Sequence, residues 1–128
     1  MKIEIVSSDR VPVTPGSGFS PAIAVSAETR TLYISGQVPV SAGRAPPETF
    51  KEQAELAWAN VGAQLLAAGM TFDNLVKTTV ILTDRKYGPE FRAVRKAVLG
   101  NRAPASTLII AGLFDAAWMV EIEGVAVA

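Results

Sequence analysis

A period-two alternation near the end of the chain does most to limit what it can fold into. Along Trp118-Met119-Val120-Glu121-Ile122-Glu123-Gly124-Val125-Ala126-Val127, the residues Val120, Ile122, Gly124 and Ala126 share one side, and Met119, Glu121, Glu123 and Val125 share the other. The first side is wholly apolar, so this strand needs a sheet with something packed against it. The second sets two carboxylates between apolar neighbours. Such a face is neither plain solvent surface nor plain core, and it lines a cleft or lies at a subunit boundary. Just upstream, Ala105-Ser106-Thr107-Leu108-Ile109-Ile110 is a second strand-like run.

Cysteine and histidine are both missing from the sequence. Thiol nucleophiles, disulfides, thiolate zinc sites, histidine bases and histidine-based triads are therefore excluded, and chemistry falls to carboxylates, hydroxyls, amines and backbone groups. Neither a metal nor an organic cofactor is expected. The 12 basic and 12 acidic side chains balance and are interspersed, so no basic stripe awaits nucleic acid. A length of 128 residues fits one domain, 1–128. At 49 % apolar residues, the chain has a surplus to place at a subunit interface. No apolar run approaches a membrane span. Met1-Lys2-Ile3-Glu4 carries an acid where a signal peptide would be basic and then apolar, so a cytoplasmic protein without a membrane partner is expected.

In chain order, Lys2 to Val6 reads as a short first strand, and Ser7 to Pro21 as a loop dense in Ser, Pro and Gly. Phe19, the loop's one large apolar residue, either pins it down or touches a ligand. Ala22 to Ser26 and Thr31 to Gly36 are predicted to pair as an antiparallel hairpin about the turn 27–30. Gly36 suggests a bulge or a close approach to the backbone. After the loop 42–47, Ala54, Ala57, Trp58, Val61, Leu65 and Ala68 recur at spacings of three and four, a helical stripe capped by Gly69. Trp58 is expected in the core, and Gly62 packed closely on the sheet. Leu75 to Asp84 reads as a long central strand. A second helix starts at Tyr87-Gly88-Pro89, buries Phe91, Val94 and Val98, leaves Arg92, Arg95 and Lys96 solvated, and ends at Gly100.

The order is β-β-β-α-β-α-β-β, an α+β arrangement with two helices on one face of a mixed sheet. The other face would carry Lys77, Thr79 and Ile81, or else Val76, Thr78, Val80 and Leu82. Its expected cover is another copy of the chain, with the last strand's acids near the interface.

Five segments, in order, resemble the Rid family (reactive intermediate deaminase; YjgF/UK114). They are Ser35-Gly36-Gln37-Val38-Pro39, Ala67-Ala68-Gly69, Asn74-Leu75-Val76-Lys77-Thr78-Thr79-Val80, Pro104-Ala105, and Val120-Glu121-Ile122-Glu123-Gly124-Val125-Ala126. The resemblance implies a chorismate-mutase-like fold, a homotrimer, and small-molecule clefts between subunits in which enamines and imines are hydrolysed to keto acids and ammonia. It puts the water-positioning glutamate at Glu121 and backbone contacts at Ser35 and Gly36. The family's carboxylate-gripping arginine falls on Ser106 and its loop tyrosine on Ala22. A serine hydroxyl gives one neutral hydrogen bond where a guanidinium gives a charged, bidentate grip.

One functional expectation is a Rid-like hydrolase or lyase acting on a small, polar, uncharged or differently charged substrate, with Glu121 handling water and Ser35, Gly36, Ser106 and Thr107 orienting the ligand, Phe19 being a further contact. The alternative is a non-catalytic trimer that binds or senses a small metabolite. Two further readings rank lower. Same-strand Glu121 and Glu123 point in parallel, unlike the acids that flank a sugar in a glycosidase. Ribonuclease activity, associated with some relatives, lacks a histidine and a basic stripe here.

Overall fold

The computed structural model describes residues 1–10 and 16–128. Part of the loop expected at Ser7 to Pro21 therefore lies outside the described residues. Six strands and two helices follow the predicted order: β1 (Lys2–Val6), β2 (Ala22–Ser26), β3 (Thr31–Gln37), α1 (Phe50–Ala67), β4 (Leu75–Leu82), α2 (Gly88–Leu99), β5 (Ala105–Ile110) and β6 (Val120–Val127). Strands β3, β6, β4 and β5 lie side by side in that order, with β4 and β5 parallel and the other pairs antiparallel. The sheet is mixed and the helices pack on one of its faces, as expected.

The local chemistry explains the helix boundaries. Thr49 opens α1 by accepting the backbone N–H of Glu52, and Gly69 follows its last turn at φ 71°, a left-handed conformation that costs glycine little. Pro89 stands in the first turn of α2, where its missing N–H has no intrahelical partner to lose. The stripe of α1 buries Ala54, Ala57, Trp58, Val61 and Leu65. Gly62 does mark a close approach, but to Phe72 rather than to the sheet: a Cβ at 62 would lie 3.2 Å from Phe72 Cζ. Trp58 is fully buried between Phe72 and Phe91.

The alternation of β6 emerges intact. Val120, Ile122, Gly124 and Ala126 are buried under the helices, while Met119, Glu121 and Val125 are half-buried and Glu123 is exposed on the other face. On β4 the buried set is Val76, Thr78, Val80 and Leu82, so Lys77, Thr79 and Ile81 belong to the face that no helix covers.

The predicted hairpin between residues 22–26 and 31–36 does not form. Strand β2 pairs instead with β1, from Lys2 opposite Ser26 to Val6 opposite Ala22, in a separate two-stranded sheet. The turn between β2 and β3 is drawn to the far end of the chain. Thr29 and Arg30 both donate their N–H groups to the Ala128 carbonyl, at 2.9 and 3.0 Å, and Ala128 N–H returns a bond to Arg30 O at 3.0 Å. Ala27, at φ 58°, turns the backbone at the end of β2. The turn is thus tied to the last residue of the chain rather than closing a hairpin, and among the described residues β3 stands as an edge strand paired only with β6. Among the described residues no helix is long and apolar enough to cross a membrane.

Candidate functional site

Strand β6 sets the site. Its buried side is anchored by close packing: a Cβ on Gly124 would lie 3.0 Å from Leu75 Cδ1 and 3.1 Å from the Lys77 carbonyl oxygen. The start of β6 is held by Gln53 of α1, which is almost completely buried. Its Nε2 donates to the carbonyls of Pro47 and Ala117, both at 2.9 Å, and its Oε1 accepts the Met119 N–H at 2.8 Å. A buried amide with both ends satisfied fixes the backbone it bridges. The sequence signal for Gln53 was a polar residue directly beside the apolar stripe of α1, and periodicity alone did not single it out.

With that backbone fixed, Glu121 projects from the uncovered face beside β3. The pairing of β3 with β6 shifts between Ile34 opposite Gly124 and Gln37 opposite Ile122, which leaves one extra residue on β3. Ser35 and Gly36 form this bulge. The carboxylate of Glu121 packs over Gly36, so that a Cβ built there would overlap its Oε1. Both expectations for Gly36, a bulge and a close approach, hold together. Ser35 is exposed, with its carbonyl accepting from Gln37 Nε2 at 2.9 Å.

The remaining candidates lie elsewhere. Thr107 pairs with Thr79 on the same open face, and its hydroxyl accepts a bond from Lys77 Nζ at 2.8 Å. Ser106 pairs with Thr78 and faces the helix side, where its Oγ accepts from the Thr78 hydroxyl at 3.0 Å. Because Thr78 is level with Gly124, Ser106 lies three residues along the strands (about 10 Å) and two strands across (about 10 Å) from Glu121, and on its opposite face. Within one chain these two side chains do not meet. Phe19 lies further off, against a cavity between the glycine-rich loop and α2. Ser20 fixes that loop by donating its N–H to the Pro104 carbonyl at 3.2 Å and its hydroxyl to the Ala103 carbonyl.

Two basic residues outside the candidate set gain roles. Lys77 is the sole cation among the strand residues of the open face. Arg95 is half-buried rather than solvated as expected, and donates to Ser17 O at 2.8 Å. The loop that covers it is distant in sequence, so the helical pattern alone gave no sign of it.

A mixed sheet with two helices on one face and a carboxylate–glycine pair on the other defines a small α+β protein. The family model described as Endoribonuclease L-PSP matches residues 11–128. A mouse protein named 2-iminobutanoate/2-iminopropanoate deaminase is 35 % identical over 126 residues, 97 % of this chain and 90 % of its own. The crystal structure of RidA from an Antarctic Psychrobacter superposes with a TM-score of 0.73 at 30 % identity, over 98 % of this chain and 99 % of that one. The Rid-family protein YyfB of Yersinia pestis reaches a TM-score of 0.85 over the whole of both chains, at 22 % identity, a likeness of fold alone. The chain belongs to the Rid (YjgF/UK114) family.

Proposed function

We propose that the protein hydrolyses a small imine or its enamine tautomer to a carbonyl compound and ammonia, in a cleft completed by a neighbouring copy within a homotrimer. The observation that carries this reading is the Glu121 carboxylate packed against Gly36 on a sheet face without a helical cover. The name of the mouse relative, 2-iminobutanoate/2-iminopropanoate deaminase, supports this substrate class.

The reaction takes in water and releases ammonia with no change of oxidation state. Water adds to the C=N carbon and one of its protons passes to the nitrogen, giving a carbinolamine; the remaining hydroxyl proton then passes to the nitrogen as the C–N bond breaks and C=O forms, so that ammonia leaves. A carboxylate beside the reacting carbon serves as the proton carrier, accepting from water and returning the proton to the departing nitrogen. Glu121 fills that role. Gly36, with no side chain, leaves room for the carboxylate, and the bulge at Ser35 frees backbone groups that orient the ligand.

The separation of Ser106 from Glu121 within one chain supports a shared cleft, in which Ser106 and Thr107 come from one copy and Glu121 from the next. The open face and the exposed Leu108, Ile109 and Ile110 of edge strand β5 supply apolar surface for that contact.

Ammonia release from 2-iminopropanoate by the purified protein tests the proposal. Glu121→Gln is expected to lower kcat by about a hundredfold or more, the scale of a lost general base. The reading fails if the wild type releases no ammonia from a panel of small imines, or if the variant matches it. A second reading, a trimer that binds a metabolite without turnover, is favoured by the Ser106 hydroxyl being already engaged by Thr78. It predicts a ligand-dependent rise in Tm with no ammonia from any imine.

A further inference from the structure

A cavity of about 570 Å³ opens between the glycine-rich loop and the second half of α2, and every charged residue lining it is a cation: Arg92, Arg95, Lys96 and Arg102. Arg102 is neutralised, with Nε 2.6 Å from Asp73 Oδ1. Arg92, Arg95 and Lys96 have no carboxylate within salt-bridge distance among the described residues, and residues 11–15 contain no acid. Their spacing of three and four places them on one side of α2, facing the loop.

Arg95 is the centre of the cluster. Burial, and then the charge of Arg92, hold its guanidinium below its ordinary pKa, so the surrounding protein disfavours the charge it carries. The loop nevertheless closes on it. Ser17 accepts a bond from Nη2, and a Cβ on Gly18 would lie 2.7 Å from that same nitrogen. Gly16 and Gly18 both adopt left-handed backbone, at φ 74° and 81°. Glycine thus occurs at the one point where a side chain would displace the guanidinium.

We infer that this cavity binds the phosphate group of a small phosphorylated metabolite, with Arg95 as its principal donor and Arg92 and Lys96 at the rim. Three unpaired cations in so short a span attract anions, and a phosphate dianion offsets them more fully than a single carboxylate. Planar guanidinium donors match phosphate oxygens two at a time. The volume, a few hundred cubic ångströms, suits a small ligand rather than a polymer. The site is separate from Glu121. The bonds of Ser20 to Ala103 and Pro104 hold the loop at the start of β5, level with Val125 and about 13 Å along the sheet from Glu121.

Calorimetric titration of the full chain with inorganic phosphate and with glycerol 3-phosphate, at low ionic strength, tests this. Saturable binding of both is expected, with Arg95→Gln weakening it about tenfold or more, the scale of one lost charge-assisted pair. The double variant Arg92→Gln/Lys96→Gln removes only exposed side chains and is expected to weaken binding while leaving Tm and imine turnover unchanged. Absence of saturable binding, or wild-type affinity in the double variant, would overturn the assignment. So would equal affinity for succinate, which would mark a general carboxylate site, or much tighter binding of a single-stranded RNA, which would mark a nucleic-acid surface.

Discussion

The Glu121 carboxylate lies over the bare α-carbon of Gly36, so close that a Cβ built on residue 36 would meet Glu121 Cδ at 2.7 Å. A bulge in β3 and an acid on β6 are therefore one device, in which the glycine makes the space that the acid occupies. Gly36→Ala is expected to push Glu121 off its position while leaving the apolar side of the sheet untouched. Imine hydrolysis should fall about tenfold to a hundredfold, consistent with a displaced rather than missing carboxylate. Steady-state kinetics beside a thermal melt check this, with kcat falling and Tm moving little.

Gln53 joins the start of β6 to α1, and its loss should be felt in stability first. Gln53→Leu keeps the volume but leaves the Pro47 and Ala117 carbonyls and the Met119 N–H without their partner. The expected cost is about 2–4 kcal/mol, because buried polar groups lose their bonds without regaining water. Urea unfolding measures it through a lower midpoint at unchanged slope.

Gly124 has no room for a methyl group. Its neighbour on one side is the backbone oxygen of Lys77, 3.1 Å from a Cβ position, which cannot move without shifting β4. Gly124→Ala should destabilise the protein by about 1–3 kcal/mol, the usual penalty of overpacking. Chemical denaturation tests it, and a neutral result would mean that β4 and β6 can part more easily than their pairing suggests.

The sequence foretold much of this arrangement where one period acts over a whole element. The alternation of β6 placed Glu121 and Glu123 on the correct face, and the stripes of α1 and α2 placed Trp58 and Phe91 in the core. Gly36 was legible because a glycine inside a strand weakens it, and so marks a bulge or a close backbone approach. What could not be read depends on distant partners. Strand β2 pairs with β1 although the outer edge of β3 is open, and no local signal in the turn at 27–30 reports that choice. The face taken by Ser106 follows from the register of β5 against β4, which Pro104 and Ala105 alone do not determine. The cationic cavity needed the loop carrying Ser17 and Gly18 to fold over Arg95 from 78 residues away.

The central claim is that Glu121 works in a cleft shared with another copy of the chain, opposite that copy's Ser106. Ser106→Asp, which sets a like charge against a substrate carboxylate, and Glu121→Gln should each lower ammonia release by about a hundredfold or more when assayed alone. Co-expressed, the two variants should recover activity in mixed trimers, to about one quarter of the wild-type rate if subunits assort at random. Recovery to that level is what a shared cleft requires. No recovery in verified mixed trimers, or full activity of Ser106→Asp by itself, would contradict it.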